Sequence, residues 1–316
     1  MRHNKLLNNL WDSRCNLSNL SNLILLTMAL TSTSAFGQAQ NVNVIPFKTN
    51  HQNTQYYEIN LSDAPSTNNV LFFISGSGCQ NIKNKLYDYF KPIHNKFDGV
   101  LYSLQKIGVN QDSDDSTCSK KFIENDFFDE VVKEQNLFIK SMLSALPIKP
   151  KHVVLIGASE GAVVAAKIAN INNSITHLGL IGSGGDSLRN NLRLLSKVSF
   201  LFRNPDGKFK EIEANKESID KTVWGHSYKY WSSILDVNVG DLVYSLNIPV
   251  VIAMGEKDKS VPIESLKNLK NNLENQDKEN IEINIYPNAD HKLIDQSLSK
   301  SYGPDFLNKL LDGLKK

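Results

Sequence analysis

The chain has 316 residues, a formal net charge of +2, 41% hydrophobic residues and 22% charged residues. This composition is typical of a globular protein and excludes a disordered, collagen-like or coiled-coil chain. The excess charge lies in the first 37 residues, so the rest of the chain is neutral. Because binding to nucleic acid requires neutralisation of phosphates, we expect no nucleic-acid partner.

The N-terminus has the pattern of an export signal. Basic residues precede the apolar run 23–30, and small residues follow it, with Ala35 and Gly37 at the −3 and −1 positions of a cleavage site. The run is too short to span a bilayer, which takes about 20 apolar residues. We therefore predict a signal peptide over residues 1–37 and a periplasmic or secreted mature chain that does not insert into the membrane. The alternative is a buried or disordered N-terminal helix.

Strand and helix patterns alternate along the rest of the chain. Residues 41–54 are polar and predict a loose arm. Short apolar or alternating runs predict strands over residues 55–61, 69–74, 99–104, 153–156, 175–181, 249–254 and 281–286. Helical spacing predicts helices over residues 81–95, 125–146, 161–169, 262–275 and 304–315. This order predicts an α/β fold with a mostly parallel central sheet and helices on both faces.

One long stretch interrupts the alternation of strands and helices. More than sixty residues separate the strands that end near Ile181 and begin near Pro249. We predict one domain over residues 38–316, with a small helical cap inserted near 185–241.

The segment Gly157-Ala158-Ser159-Glu160-Gly161 fits the pattern G-x-S-x-G. The pattern alone is weak, but here it follows an apolar strand and precedes a helix, which is its expected context. The glycines permit a sharp turn that would hold the Ser159 hydroxyl at the carboxyl edge of the sheet. A structural glycine-rich turn without chemistry is the alternative.

At this motif the sequence resembles the α/β-hydrolase family over roughly residues 55–316. The family places an acid after a late strand and a histidine after the last strand. Asp258, in Gly255-Glu256-Lys257-Asp258, and His291, in Pro287-Asn288-Ala289-Asp290-His291, occupy those positions. The resemblance thus implies a Ser159–Asp258–His291 triad in the chain order that this fold uses.

The chemistry of these residue types supports the same assignment. A serine hydroxyl becomes a good nucleophile when an imidazole accepts its proton, and a carboxylate orients that imidazole. Alternatives stay open: Asp258 as a helix cap, Glu256 or Asp290 as the acid, and His226 as the base.

An acyl-transfer site also needs donors for an oxyanion. The backbone N–H of Glu160, at the start of a helix, is the first candidate. The resemblance implies a second donor in the turn after strand 69–74, where we name the N–H groups of Ser77 and Gly78. A glycine turn without function is the alternative.

Two cysteines remain in the predicted mature chain, Cys79 and Cys118. An oxidising compartment and the even number favour a disulfide between them, and two unrelated thiols are the alternative. No HExxH pattern, clustered ligands or phosphate loop is present, so we expect no metal and no cofactor.

Aromatic residues are concentrated in the predicted cap. In the resembled family such insertions shape the substrate pocket, so we name Trp224 and Trp231 as substrate-binding residues. Packing in the core of the cap is the alternative.

These features together predict an exported serine hydrolase that cleaves a carboxylic ester through an acyl-enzyme on Ser159. Its partner would be a small-molecule or peptide acyl substrate. A peptidase or amidase of the same fold is the nearest alternative, because a triad does not distinguish esters from amides. A catalytically silent binding protein is the alternative from another class.

Overall fold

A computed structural model describes residues 42–49, 52–63, 68–110, 117–276 and 278–315. The predicted signal peptide, residues 1–37, lies outside these ranges and stays a prediction. Within the described ranges, no helix has the length and apolar character needed to cross a lipid bilayer.

An eight-stranded mixed sheet forms the centre of the fold. Its strands are β1 (Asn43–Lys48), β2 (Asn53–Asn60), β3 (Asn69–Ile74), β4 (Gly99–Leu104), β5 (His152–Ala158), β6 (His177–Ile181), β9 (Val250–Gly255) and β10 (Ile281–Tyr286). They lie in the order β1-β2-β4-β3-β5-β6-β9-β10. From β4 to β10 each neighbouring pair is parallel, whereas β2 pairs antiparallel with both β1 and β4. The predicted α/β class is confirmed.

The prediction of a loose arm over residues 41–54 is wrong. Residues Asn43–Lys48 form the edge strand β1, paired along its whole length with β2. Phe47 in this strand makes edge-to-face contacts with Tyr56 and Phe138. Pro46 is compatible with a strand here because an edge strand has one side without a ladder partner.

Helices cover both faces of the sheet, as predicted. They are α1 (Lys83–Phe90), α2 (Lys120–Asn125), α3 (Phe128–Ala145), α4 (Glu160–Ile171), α5 (Leu188–Ser196), α6 (Pro205–Ala214), α7 (Tyr228–Ile234), α8 (Val239–Tyr244), α9 (Ile263–Glu274) and α10 (Gly303–Gly313). One hydrophobic core joins the sheet to α3, α4, α9 and the inserted segment. A second core on the other face joins it to α1 and α10. The central strands β3, β4, β5, β6 and β9 are buried on both faces, as the apolar runs in their sequences predict.

The stretch between β6 and β9 folds as a group of short elements. It contains α5, α6, α7 and α8, a 3₁₀ turn at Phe200–Phe202, and a hairpin of β7 (Thr222–Val223) and β8 (His226–Ser227). A second short pair, β11 (Ile294–Asp295) with β12 (Lys300–Ser301), follows the central sheet's last strand. The insertion begins directly after the carboxyl end of β6, which lies beside the end of β5.

Candidate active site

Ser159 occupies a strained turn between β5 and α4. Its φ of 53° and ψ of −121° lie in a region that non-glycine residues rarely adopt, at a cost of roughly 1–3 kcal/mol. The Ser159 N–H donates to the carbonyl of Ile181 at 2.7 Å, which holds the turn against β6. Strained residues of this kind cluster at active sites, where the surrounding structure holds them in place.

The two glycines of the motif are required by close backbone approach. A Cβ on Gly157 would lie 2.1 Å from the Gly161 carbonyl oxygen. A Cβ on Gly161 would lie 2.3 Å from the carbonyl oxygen of Ile74, at the end of β3. The turn therefore packs directly against the neighbouring strand, and any side chain at either position would displace Ser159.

Ser159, His291 and Asp258 form a continuous hydrogen-bonded chain. His291 Nε2 lies 3.0 Å from Ser159 Oγ, and His291 Nδ1 lies 2.7 Å from Asp258 Oδ2. A carboxylate only accepts hydrogen bonds, so Nδ1 carries the ring proton and Nε2 is free to accept from the serine hydroxyl. This arrangement can withdraw the hydroxyl proton during nucleophilic attack.

Asp258 contacts His291 as the predicted acid, and it is not a helix cap, because Pro262 occupies the N-cap position of α9. Its Oδ2 contacts His291, while its Oδ1 accepts from the N–H groups of Ser260 and Val261 at 2.7 and 3.0 Å. The side chain has no solvent exposure. These two backbone hydrogen bonds therefore hold in place the Asp258 carboxylate that orients the imidazole of His291.

The residues named as alternatives for the acid and the base of the triad make other contacts or face solvent. Asp290 accepts from the N–H groups of Lys292 and Ile294, so it braces its own loop. His226 faces Asp126, with Nδ1 3.5 Å from Oδ2. Glu256 is exposed to solvent.

Close backbone packing holds the acid loop and the histidine loop together. A Cβ on Gly255 would lie 2.2 Å from the carbonyl oxygen of Asp290, and the Lys257 N–H donates to Ala289 at 2.8 Å. Gly182, at φ 61°, follows β6, and a Cβ there would lie 3.0 Å from His291 Cε1. The ends of β6, β9 and β10 thereby set the position of the imidazole.

The turn after β3 approaches the nucleophile through Gly76. A Cβ on Gly76 would lie 3.2 Å from Ser159 Cβ. Ser77 and Gly78 follow in the same turn and are partly buried. The predicted second donor therefore comes from the segment that lies against the nucleophile, and the choice between their N–H groups stays a prediction, as does the N–H of Glu160.

A disulfide links this turn to the start of α2. Cys79 and Cys118 are bonded, with their Cα atoms 5.5 Å apart. Cys79 is buried beside Val109 and Phe122. The bond ties the segment that approaches Ser159 to the loop after β4.

A buried ionic cluster that the sequence does not predict lies beside the nucleophile. Lys106 Nζ lies 2.8 Å from Glu160 Oε1 and 3.7 Å from Asp126 Oδ1, and all three side chains are almost fully buried. Burial lowers the pKa of Lys106, but the two carboxylates outweigh it and raise that pKa above its usual value. Burial raises the pKa of Asp126, but Lys106 and His226 reverse the effect and lower it.

The cluster extends into the insertion. The Tyr230 hydroxyl on α7 donates to Glu160 Oε2 at 2.7 Å, and its ring stacks on His226 at 3.9 Å between centroids. Burial, and then the carboxylates of Glu160 and Asp126, raise the pKa of Tyr230 well above its usual value. The one signal in the sequence was a lysine, Lys106, two residues after an apolar strand. Its partners lie in three distant segments.

Trp224 and Trp231 do not line the pocket, which corrects their assignment as substrate-binding residues. Trp231 is fully buried and Trp224 is 5% exposed. Their rings pack edge to face at 5.6 Å, and Trp224 also contacts Phe202 and Phe209. The alternative, packing in the core of the insertion, is what the structure shows.

The pocket at Ser159 has a different set of walls. Its apolar lining consists of Val163, Leu188, Val237, Val239 and Val261, and its polar lining includes Glu160, Ser183, Asp186 and Asn191. Leu188, Asn191, Val237 and Val239 belong to the inserted segment. The insertion therefore does supply pocket walls, but with aliphatic side chains.

In the described part of the chain, no group of three or more His, Cys, Asp or Glu residues is arranged to hold a metal ion.

Comparison with solved structures finds the same fold in several hydrolases. Est1E from Butyrivibrio proteoclasticus aligns with a TM-score of 0.59 and 12% identity, covering 86% of this chain and 99% of that one. A structure described as "Lipase (Open form)" gives a TM-score of 0.59, 15% identity and the same coverages. The Pyrococcus horikoshii acylaminoacyl peptidase gives 0.58 and 12% identity over 85% of this chain, which spans only 40% of that enzyme.

Comparison of the sequence gives the family. No curated protein matches the chain. The model of the prolyl oligopeptidase family matches residues 120–312, more than half of the sequence and the part that carries Ser159, Asp258 and His291. The chain belongs to the prolyl oligopeptidase family, a family of serine hydrolases with the α/β-hydrolase fold.

Proposed function

We propose that the protein hydrolyses a carboxylic ester through an acyl-enzyme on Ser159. The observation that carries this proposal is the unbroken chain Ser159 Oγ–His291–Asp258, with distances of 3.0 and 2.7 Å. The aliphatic side chains in the pocket beside Ser159 support a small acyl group as the part of the substrate that binds there. The names of the similar structures, which include a Pyrococcus furiosus esterase and a lipase, favour an ester.

The reaction divides into two acyl transfers. Ser159 Oγ forms a bond to the carbonyl carbon while His291 Nε2 takes the hydroxyl proton. The bond to the leaving alcohol then breaks as His291 returns that proton to the alcohol oxygen. A water molecule attacks the acyl-enzyme, His291 accepts its proton and returns it to Ser159, and the carboxylic acid leaves. The N–H groups of Glu160 and of Ser77 or Gly78 would stabilise the oxyanion in each half.

A peptidase or amidase is the second candidate. The family's name and the similarity to an acylaminoacyl peptidase favour it. The same triad would serve, with an amine as the leaving group.

One panel of substrates separates the two candidates. Purified protein is assayed with p-nitrophenyl esters of increasing chain length beside aminoacyl p-nitroanilides, and Ser159→Ala is the matched control. We expect hydrolysis of short esters, little hydrolysis of anilides, and neither with the variant. Faster hydrolysis of the anilides would favour the peptidase, and an inactive wild-type protein that binds no fluorophosphonate would favour a silent binding protein.

We also propose that the protein is exported to the periplasm or secreted. The signal pattern of residues 1–37 supports this, and the Cys79–Cys118 disulfide suits an oxidising compartment. Cell fractionation of the full-length chain, beside a chain that starts at Gln38, tests it. Retention of both chains in the cytoplasm would contradict export.

A further inference from the structure

A loop in the insertion exposes apolar side chains to solvent. This loop, residues 197–203, joins α5 to α6 and contains the 3₁₀ turn at Phe200–Phe202. Val198 is 83% exposed, Phe200 is 76% exposed and Leu201 is 39% exposed. A single exposed apolar residue is ordinary, but a contiguous group of them marks a surface that contacts another molecule. Residues 197–203 are called the apolar loop below.

The apolar loop has a fixed conformation. Phe202 is buried and packs against the Trp224 ring at 5.9 Å between centroids, and the Trp224 indole donates to the carbonyl of Leu201 at 3.2 Å. The backbone N–H groups of residues 197, 198, 199, 202 and 203 donate to carbonyls three or four residues earlier. Because most of its N–H groups are bonded within the chain, the loop can leave water without exposing many unpaired donors to an apolar medium.

Two cations flank the exposed apolar side chains. Lys197 and Arg203 are exposed, and in the described ranges neither forms an ion pair with a carboxylate, unlike Arg193, which pairs with Asp206. The Arg203 guanidinium lies 4.5 Å from the centre of the Phe200 ring. The sequence has no acidic residue from 187 to 205. The apolar loop therefore combines apolar side chains with unpaired positive charge.

We propose that the apolar loop binds the surface of an anionic phospholipid bilayer. Val198, Phe200 and Leu201 enter the boundary between headgroups and acyl chains, while Lys197 and Arg203 contact lipid phosphates. This is reversible contact by side chains, not insertion of a spanning segment, and it does not depend on the reaction at Ser159.

The size and charge of the patch favour lipid over a protein partner. Three exposed apolar side chains are too few for a stable protein interface, which buries about 800 Å² on each partner. At a lipid surface, burial of a few apolar side chains and attraction of cations to anionic headgroups act together. A second copy of this chain would present the same cations and would repel the loop.

Sedimentation with lipid vesicles tests the contact. A purified chain that starts at Gln38, with the Cys79–Cys118 bond formed, lacks the apolar run 23–30 and is used throughout. It is mixed with vesicles of equal parts phosphatidylglycerol and phosphatidylcholine, or of phosphatidylcholine alone. We expect binding to the anionic vesicles that weakens as the salt concentration rises, and weaker binding to the neutral vesicles. No binding to the anionic vesicles, or equal binding to both kinds, would overturn the proposal.

Variants assign the contact to the apolar loop. Phe200→Ser should weaken partitioning onto anionic vesicles by about 10-fold or more, because an apolar ring no longer leaves water. Lys197→Gln should weaken it by about fivefold and have little effect on neutral vesicles. Leu298→Ser, which removes an equally exposed apolar side chain between β11 and β12, is the matched control and should bind like the wild type. Equal binding by the wild type and all three variants would overturn the proposal.

Two further measurements separate lipid contact from contact between copies. Phe200→Trp should be quenched by vesicles with brominated acyl chains more strongly than Leu298→Trp, and equal quenching would contradict the assigned face. Analytical ultracentrifugation without lipid should show a monomer. A dimer that Phe200→Ser dissociates, together with no binding to vesicles, would show that the apolar loop joins two copies and would overturn the proposal.

Discussion

Nζ of Lys106 lies 2.8 Å from Oε1 of Glu160, the residue that follows the nucleophile. Lys106 comes from the segment after β4, and the same carboxylate accepts a hydrogen bond from Tyr230 in the insertion. Glu160 thus joins three parts of the chain directly behind Ser159. Since its N–H is a predicted oxyanion donor, the buried cluster fixes a group on which the chemistry depends.

Removal of one member of the buried Lys106–Glu160 ion pair should strongly lower the free energy of unfolding. Lys106→Met leaves Glu160 and Asp126 without their cation, and we expect the free energy of unfolding to fall by about 3–5 kcal/mol. Urea denaturation measures the change. Lys133→Met, which removes an exposed pair with Glu130, is the matched control and should cost about 0–1 kcal/mol. A similar small loss for both variants would contradict a structural role for the cluster.

The lowered pKa of Asp126 predicts an acid dependence of stability. A carboxyl group whose folded pKa lies below its unfolded value contributes stability above the unfolded pKa, near pH 4, and loses it as pH falls through the folded pKa. The difference in unfolding free energy between the wild type and Asp126→Asn should therefore be largest near neutral pH and shrink below about pH 4. Urea midpoints from pH 3 to pH 7 test this. A difference that grows as the pH falls would contradict the assigned direction.

The two tryptophans should affect stability rather than substrate choice. Trp231→Ala removes a fully buried ring, and we expect it to lower the free energy of unfolding by about 3–5 kcal/mol. Val239→Phe instead fills the pocket at Ser159 and should shift preference toward shorter acyl chains. Comparing melting temperature with the chain-length profile for both variants distinguishes the roles. A changed chain-length profile for Trp231→Ala at unchanged stability would instead support a substrate-binding role for Trp231.

Much of the triad could be predicted because each member follows a strand in the parallel part of the sheet within a few residues. Ser159, Asp258 and His291 come after β5, β9 and β10, and parallel strands bring their carboxyl ends to one edge of the sheet. The role of Trp224 and Trp231 could not be read in the same way. The sequence shows that the insertion contains aromatic residues, but it does not show whether they pack in the core of the insertion or line the pocket.

The ionic cluster and β1 escaped prediction for other physical reasons. Lys106, Asp126, Glu160 and Tyr230 are each ordinary in their local sequence, and only the tertiary fold brings them together. Strand β1 lies at the sheet edge, where polar residues and Pro46 are tolerated, so its sequence lacks the apolar run of a central strand.

The disulfide should support the turn that approaches Ser159. Replacing Cys79 and Cys118 by alanine should lower the free energy of unfolding by about 2–4 kcal/mol, because the bond closes a segment with a sequence separation of 39 residues. We also expect a lower kcat, since the turn that carries Gly76 loses its tie to α2. Thiol titration of denatured protein that has been exported and purified from the periplasm or the medium checks the bond itself. Two free thiols without reductant would contradict it.

The most direct test of the central claim is to locate the covalent adduct of a fluorophosphonate on the purified protein. Mass spectrometry of the digested adduct should place a single phosphonyl group on Ser159. His291→Ala should abolish or greatly slow its formation, because the serine hydroxyl then has no base within reach. An adduct on another residue, or full labelling of Ser159 without His291, would contradict the assignment of Ser159 as a nucleophile activated by His291.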